Sequence, residues 1–176
     1  LLLALLFTVF ILYGITFGKS NFKVKHIVIQ SDKIPKAFDG FKIVQISDTH
    51  LGSFNNKNLV KKGIKHINES EADLVVFTGD LVNTDPYEAA EYIEIFKDIN
   101  ASYGKFAVLG NHDMDDFLKW RGTVTDTNMG KEVSRILHEM GFTVLHNSNV
   151  IIKNEKDLID FIKSDPEIEH IVNHHR

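Results

Sequence analysis

Three short polar motifs, each directly after an apolar run, constrain the fold of this chain most strongly. The runs are residues 41–47, 74–78 and 106–109, and the motifs that follow them are Asp48-Thr49-His50, Gly79-Asp80 and Gly110-Asn111-His112-Asp113. Apolar, β-branched runs of this length that end at Gly, Asp or Asn are typical of buried strands. Three strands that each end in carboxylate, imidazole or amide groups predict one shared site. These groups are ligands that divalent transition metals accept.

Segments with helical spacing lie between and after these runs. Apolar residues recur at helical intervals in residues 59–67, 86–99 and 131–140, and Gly141 is placed to end the last helix in a left-handed cap. Alternating strands and helices predict a layered α/β fold with parallel strands, whose ligand crevice lies beyond the carboxyl ends of the strands. Four further segments are predicted as follows: strands at 24–29, 142–145 and 168–172, and a short helix at 156–163.

Composition limits the kinds of partner and site. The chain has 176 residues, enough for one domain with a sizeable core, and a net charge of −4. This charge gives no basic footprint for nucleic acid, so we expect no stable nucleic-acid partner. Cysteine is absent, which excludes disulfides and any thiolate metal site.

The N-terminal segment is predicted to anchor the chain in a membrane. Residues 1–17 contain no charged side chain and would span roughly 25 Å as a helix, near the lower limit for a bilayer core. Lys19, Lys23 and Lys25 follow as a basic flank, which favours a cytoplasmic location for that flank. A signal peptide and a buried core helix are the alternatives. The predicted organisation is a transmembrane helix at 1–18, a juxtamembrane strand and linker at 19–37, and a folded domain at 38–176 that contains the three motifs.

The first two motifs and Asn111 supply distinct metal-ligand groups. Asp48 and His50 are two residues apart, so in an extended segment their side chains point the same way and can bind one ion. Asp80 offers two oxygens that can bridge two metals, and Asn111 offers a neutral amide oxygen. Nitrogen and oxygen ligands of this kind admit Mn, Fe, Zn or Co.

The pair His112 and Asp113 indicates proton transfer beside the metals. A histidine that is oriented by a carboxylate is suited to that task. Two metals about 3.5–4 Å apart would clamp the attacking and leaving oxygens of a phosphoryl transfer and make hydroxide available near neutral pH. Each motif alone is common, and a strand-end Asp is often only a helix N-cap, but the ordered set of three favours a functional site.

This ordered set resembles the calcineurin-like metallophosphoesterase superfamily, with three of its five motif blocks between about Phe38 and Leu145. The resemblance implies a layered α/β/β/α sandwich, incomplete at its C-terminus here, with a dinuclear metal centre at the strand ends. The metal ligands it implies are Asp48 and His50 for the first ion, Asp80 as the bridge and Asn111 for the second ion. The membrane segment ahead of the domain is similar to that of membrane-associated bacterial members.

The same resemblance gives His112 and Asp113 catalytic roles. His112 would contact the phosphate or protonate the leaving group, and Asp113 would orient it. In the region 113–129, which is predicted to be a loop, Trp120 and Arg121 are candidates to cover the substrate, with solvated side chains as the alternative. The remaining histidines, such as His66 and His138 on predicted helices, are expected to be ordinary surface residues.

One departure from the family pattern affects the metal site. The family completes its site with a later His and then a Gly-His-x-His block, and no such block exists in this sequence. His174 is the candidate for the later ligand, with a solvated tail histidine as the alternative. We expect the chain to be part of a longer protein.

Two functional hypotheses follow. The first is a membrane-anchored phosphoesterase that cleaves a phosphomonoester, phosphodiester or pyrophosphate by metal-bound hydroxide, possible substrates including lipid-linked ones. The second is a catalytically incomplete metal-binding module at a membrane.

Overall fold

The computed structural model describes residues 2–17, 22–114, 128–154 and 157–160. Its central element is a parallel sheet of four strands, in which the strand order follows the chain order. The strands are β1 (Ile43–Ile46), β2 (Leu74–Phe77), β3 (Lys105–Ala107) and β4 (Thr143–Val144). This arrangement confirms the predicted mixed α/β fold with parallel strands.

The register of the sheet brings the first three strand ends to one level. Ile46 pairs with Phe77, and Phe77 pairs with Ala107 on the other side. All three strands run in the same direction, so the residues that follow them emerge at the same edge of the sheet. The three polar motifs of the sequence therefore begin side by side.

Helices pack against one face of the sheet and build the larger core. The helices of this region are α2 (Lys57–Glu69), α3 (Tyr87–Ala90), α4 (Ile93–Lys97) and α5 (Met129–Glu139). Helix α2 buries Val60 and Ile64, which are one turn apart, and begins at Asn56, whose side chain accepts from the N–H of Asn58 at 2.9 Å. After α5 comes Gly141, whose φ of +88° confirms the predicted left-handed cap.

A smaller apolar cluster lies on the other face. It contains Phe38, Leu74 and Ile152, with Phe41 and Phe106 among the half-buried residues packed against it. Ile152 belongs to an antiparallel hairpin of two strands, β5 (Ile151–Asn154) and β6 (Asp157–Asp160). The parallel sheet thus has apolar packing on both faces, as expected for a layered fold.

Two local predictions were wrong, and a third is modified. Residues 24–29 form no strand, because no neighbouring strand pairs with them in the described part of the chain, and the side chains of Val24 and Val28 are exposed. Residues 157–160 form strand β6 rather than a helix, since they pair with β5. The helix predicted at 86–99 is divided into α3 and α4. The strand predicted at 168–172 and most of the loop predicted at 113–129 lie outside the described residues.

The N-terminal helix α1 (Leu2–Phe17) forms as predicted, with 16 residues and no charged side chain. Its side chains from Leu2 to Tyr13 are exposed. Among the described residues, no helix is both long and apolar enough to cross a membrane. The predicted helix is thus confirmed, and its membrane span is not shown.

Candidate metal centre

The main chain after β1 runs beside the main chain after β2 and is bonded to it. The N–H groups of Asp48 and His50 donate to the carbonyls of Gly79 and Asp80 at 3.0 and 3.1 Å. Asp48, His50 and Asp80 have φ values of +52°, +41° and +59°. Residues other than glycine seldom adopt this left-handed backbone conformation, and those that do are concentrated at functional sites. The segment from Asp48 to His50 is therefore not extended, so the predicted reason for its two side chains to point the same way was wrong.

Two glycines allow the second and third strand ends to meet. A Cβ on Gly79 would lie 2.5 Å from the Cα of Gly110, and a Cβ on Gly110 would lie 2.5 Å from the backbone nitrogen of Asp80. Gly79 also has a φ of +103°, which disfavours other residues. These contacts bring the carboxylate of Asp80 against the backbone of the third motif, where its Oδ1 accepts from the N–H of His112 at 3.0 Å.

Three side chains converge at this edge of the sheet. His50, Asp80 and His112 each offer one ligand atom, and these atoms lie within 4.8 Å of one another. The Nε2 of His50 is 3.9 Å from the Oδ2 of Asp80. The rings of His50 and His112 meet edge to face, with centroids 4.8 Å apart. One side chain from each of the three motifs thus contributes to the group.

Backbone carbonyls orient both imidazole rings. The Nδ1 of His50 lies 3.2 Å from the carbonyl of Val82, and the Nδ1 of His112 lies 2.8 Å from the carbonyl of Asn83. A carbonyl can only accept, so each Nδ1 carries the hydrogen and the lone pair of each neutral ring is on Nε2. Histidines that bind metals are typically held in this way through their second nitrogen.

Asp113 organises the backbone around the site. Its side chain is fully buried, and its carboxylate accepts from the N–H groups of Asp80, Leu81, Val82 and Gly110 at 2.8–3.3 Å. Burial raises the pKa of this carboxyl group, the backbone N–H groups oppose the rise, and the charge of Asp80 adds to it. The carboxylate of Asp113, which was predicted to orient His112, is thus bonded to backbone N–H groups. The His112 ring is bonded to the carbonyl of Asn83. A catalytic role for Asp113 stays a prediction.

The remaining predicted ligands occupy the rim or lie outside the described residues. Asp48 and Asn111 are exposed at the same edge, and the carboxylate of Asp48 accepts from the hydroxyl of Ser47. They stay predicted ligands. His174, Trp120 and Arg121 lie outside the described residues.

The donor set of the group fits a divalent transition metal. Two imidazoles and one carboxylate are borderline nitrogen and oxygen ligands, which suit Mn, Fe, Co or Zn. Both rings are already oriented by carbonyls, and one oxygen of Asp80 is held by a backbone N–H, so the group is preorganised. The number of metals and their identity stay predictions.

Sequence reasoning missed the segment that holds the histidine rings. Val82 and Asn83 act through backbone carbonyls, which their side chains do not reveal. Glu88 fixes the turn after Asn83, and its carboxylate accepts from the N–H of Asp85 at 3.1 Å. The spacing Asp85-x-x-Glu88 is typical of a capping box and could have revealed that role.

Comparisons with known proteins agree with this geometry. The sequence profile of the calcineurin-like phosphoesterase family matches residues 41–175. The uncharacterized metallophosphoesterase YkuE of Bacillus subtilis is 41% identical over 105 residues, which is 55% of this chain and 37% of that protein. A zebrafish (Danio rerio) transmembrane protein with a metallophosphoesterase domain is 28% identical over 163 residues, which is 91% of this chain and 34% of that protein.

A third relative has a named substrate. The UDP-2,3-diacylglucosamine pyrophosphatase LpxG of Chlamydia muridarum is 38% identical over 85 residues, 46% of this chain and 26% of that protein. The chain thus spans well under half the length of these curated relatives. The profile covers all three polar motifs, and three of their side chains form the candidate metal group. The chain belongs to the calcineurin-like phosphoesterase family.

Proposed function

We propose that this chain carries the metal site of a phosphoesterase, which hydrolyses a phosphomonoester, phosphodiester or pyrophosphate bond. The observation that carries the proposal is the convergence of His50, Asp80 and His112 within 4.8 Å at the carboxyl edge of a parallel sheet. The family membership of the chain supports the same reaction class.

The proposed metal ligands are His50 and Asp80, joined by Asp48 and Asn111 on the same edge. When bound, divalent metals supply Lewis acidity toward a phosphoryl oxygen and favour ionisation of a water molecule. The left-handed backbone at Asp48, His50 and Asp80 fixes the direction of each side chain before any ligand arrives. Such preorganisation lowers the cost of assembling the site.

His112, the third member of the group, is proposed as the proton donor and not as a metal ligand. Its Nδ1 is bonded to the carbonyl of Asn83, so proton exchange with a substrate would take place at Nε2. In the reaction, the oxygen of water forms a bond to phosphorus and the water proton goes to solvent. The bond from phosphorus to the leaving oxygen breaks, and the doubly protonated ring of His112 gives its Nε2 proton to that oxygen and becomes neutral. Asp113 supports this arrangement through the backbone, because its buried carboxylate accepts from the N–H groups of Asp80 and Leu81.

We further propose that the substrate is lipid-linked and that the protein is located at a membrane. The exposed side chains of α1 from Leu2 to Tyr13 carry no charge, which suits contact with acyl chains. One relative is named as a transmembrane protein, and another as a pyrophosphatase of a diacylated sugar nucleotide. A helix that contacts the bilayer would hold the site near such a substrate.

The test is an assay of the purified chain on bis-p-nitrophenyl phosphate and p-nitrophenyl phosphate with added Mn²⁺. We expect metal-dependent turnover, strongly reduced in Asp80→Asn. We expect His112→Ala to lower kcat by about 10²–10⁴-fold, the usual contribution of a positioned proton donor.

His138→Ala is the matched control, because His138 is exposed on helix α5 away from the three strand ends. Turnover in this variant should equal that of the wild type. Bound metal without turnover in the wild type would contradict the phosphoesterase proposal and favour the metal-binding module.

A further inference from the structure

Glu88, which stands outside all three motifs, binds the turn that follows the candidate metal centre. One carboxylate oxygen, Oε2, accepts from the N–H of Asn83 at 2.6 Å. The other, Oε1, accepts from the N–H and the hydroxyl of Thr84 and from the N–H of Asp85, each at 3.1 Å. Four donors therefore converge on one side chain, and both of its oxygens are in use.

Asn83 connects this turn to the site. Its N–H donates to Glu88, and its carbonyl accepts from the Nδ1 of His112 at 2.8 Å. Its side chain donates to the hydroxyl of Ser53 at 3.1 Å. The Asn83 carbonyl lies in the same peptide plane as the N–H of Thr84, and the N–H of Asn83 lies in the preceding plane. Glu88 accepts from both N–H groups and so holds both planes.

The carboxylate of Glu88 lies in a space that Gly52 leaves open. A Cβ on Gly52 would come within 2.5 Å of the Cδ of Glu88 and would also collide with Oε2. The backbone at Gly52 is not in the left-handed region, so alanine fits the main chain there. The atoms that would have to move are the end of a flexible side chain, and the result would be a displaced Glu88 carboxylate in an otherwise unaltered fold.

We infer that Glu88 is a positioning residue for His112, acting through the Asn83 carbonyl to keep the hydrogen on Nδ1, so that Nε2 is the nitrogen that exchanges a proton with the substrate. This inference rests on the proposed function for its effect on turnover. The effect on the His112 tautomer depends only on the contacts of the turn.

Two variants remove the interaction from opposite sides. Glu88→Gln keeps the size of the side chain but has one acceptor oxygen, so it cannot serve the donors on both oxygens. Gly52→Ala keeps the glutamate and displaces its carboxylate. Glu94→Gln is the matched control, because Glu94 is exposed on α4 and pairs with Lys97.

The first readout is the tautomer of His112 in metal-free protein, measured by ¹⁵N NMR of labelled histidine at a pH where the rings are neutral. We expect the Nδ1–H form in the wild type and in Glu94→Gln. In Glu88→Gln and Gly52→Ala we expect a shift toward the Nε2–H form. An unchanged His112 tautomer in both folded variants would overturn the inference.

The second readout is turnover of bis-p-nitrophenyl phosphate with Mn²⁺. We expect about a 10-fold lower kcat in both variants with KM nearly unchanged, as is usual when the support of an active-site histidine is lost. A wild type without turnover would contradict the proposed function, while the tautomer measurement would still decide the role of Glu88. Loss of folding in both variants would overturn the inference, because Glu88 would then stabilise the fold rather than position His112.

Discussion

The Oδ1 atom of Asp113 accepts a hydrogen bond from the backbone N–H of Leu81 at 2.8 Å, although the two residues are 32 positions apart. Its Oδ2 accepts from the N–H of Asp80 at 2.8 Å and from that of Gly110 at 3.0 Å. One buried side chain therefore fastens the segment after β2 to the turn after β3. The distance between Asp80 and His112 depends on that connection.

Asp113→Asn should destabilise the protein and damage the site. Asparagine has one acceptor oxygen, and its NH₂ group would face backbone donors in a buried position. We expect a loss of about 2–3 kcal/mol in the free energy of unfolding, measured in urea, because buried donors would lack an acceptor. Asp39→Asn, at an exposed position, should change the value by no more than about 0.5 kcal/mol. Equal stability of the two variants would contradict the role given to Asp113.

Gly110→Ala should disrupt the approach of the second and third strand ends. The new Cβ would lie 2.5 Å from the backbone nitrogen of Asp80 and would also collide with its Oδ1. We expect a destabilisation of about 1–3 kcal/mol, as for other overpacked sites, together with weaker metal binding. Thermal unfolding measures the first effect.

Gly130→Ala is the control for that substitution. A Cβ on Gly130 makes ordinary contacts, with the nearest atom 3.5 Å away on Leu109, and the residue lies in helix α5. We expect it to raise stability by up to about 1 kcal/mol. A Gly110→Ala protein as stable as Gly130→Ala would show that the strand ends can separate without cost.

Lys105→Met should reveal a pH-dependent cost of burying an ammonium group. The Nζ of Lys105 donates to the carbonyls of Met140 and Phe96 at 2.9 and 3.2 Å. Burial lowers the pKa of Lys105, and the charge of Asp98 partly opposes this. The unfolded chain thus binds more protons between the lowered folded pKa and the usual value, so the stability of the wild type rises with pH in that window.

The measurement is the difference in unfolding free energy between wild type and Lys105→Met, because other titrating groups cancel in it. We expect the unfolding free energy of the wild type, relative to that of Lys105→Met, to increase from about pH 8 to about pH 11. A difference that stays constant or moves toward the variant would contradict the burial argument.

The proposed membrane contact predicts that the chain co-sediments with phospholipid vesicles through helix α1. Leu6 and Phe10 are exposed on that helix, and replacing both with lysine should release the chain from the vesicles. Each lysine costs about 2.5–3.5 kcal/mol at the centre of a bilayer. Tyr87→Lys, at an exposed position on α3, should not alter sedimentation. Equal sedimentation of the wild type and both variants would contradict the proposal.

The sequence was sufficient for the elements whose pattern is local. Strands β1, β2 and β3 were predicted because each is an apolar run that ends at a turn residue, and helices α2 and α5 because their apolar residues recur at helical spacing. The meeting of the three motifs also followed from the pattern, because parallel strands end at one edge.

Features that depend on distant partners could not be predicted in the same way. Residues 24–29 have strand composition, but strand formation requires a neighbour, and Leu158 lies in a strand because β5 pairs with it. The left-handed backbone of Asp48 depends on contacts with the segment after β2. The orientation of His112 depends on a carbonyl of Asn83, a group that every residue has.

The most direct test of the central claim is the binding of Mn²⁺ to the purified chain, measured by isothermal titration calorimetry. We predict that the wild type and His138→Ala bind the metal equally. In His50→Ala and Asp80→Asn the affinity should fall by about 10-fold or more, because each removes a ligand group from a preorganised site. Equal affinity in all four proteins would contradict the claim that the three strand ends form a metal centre.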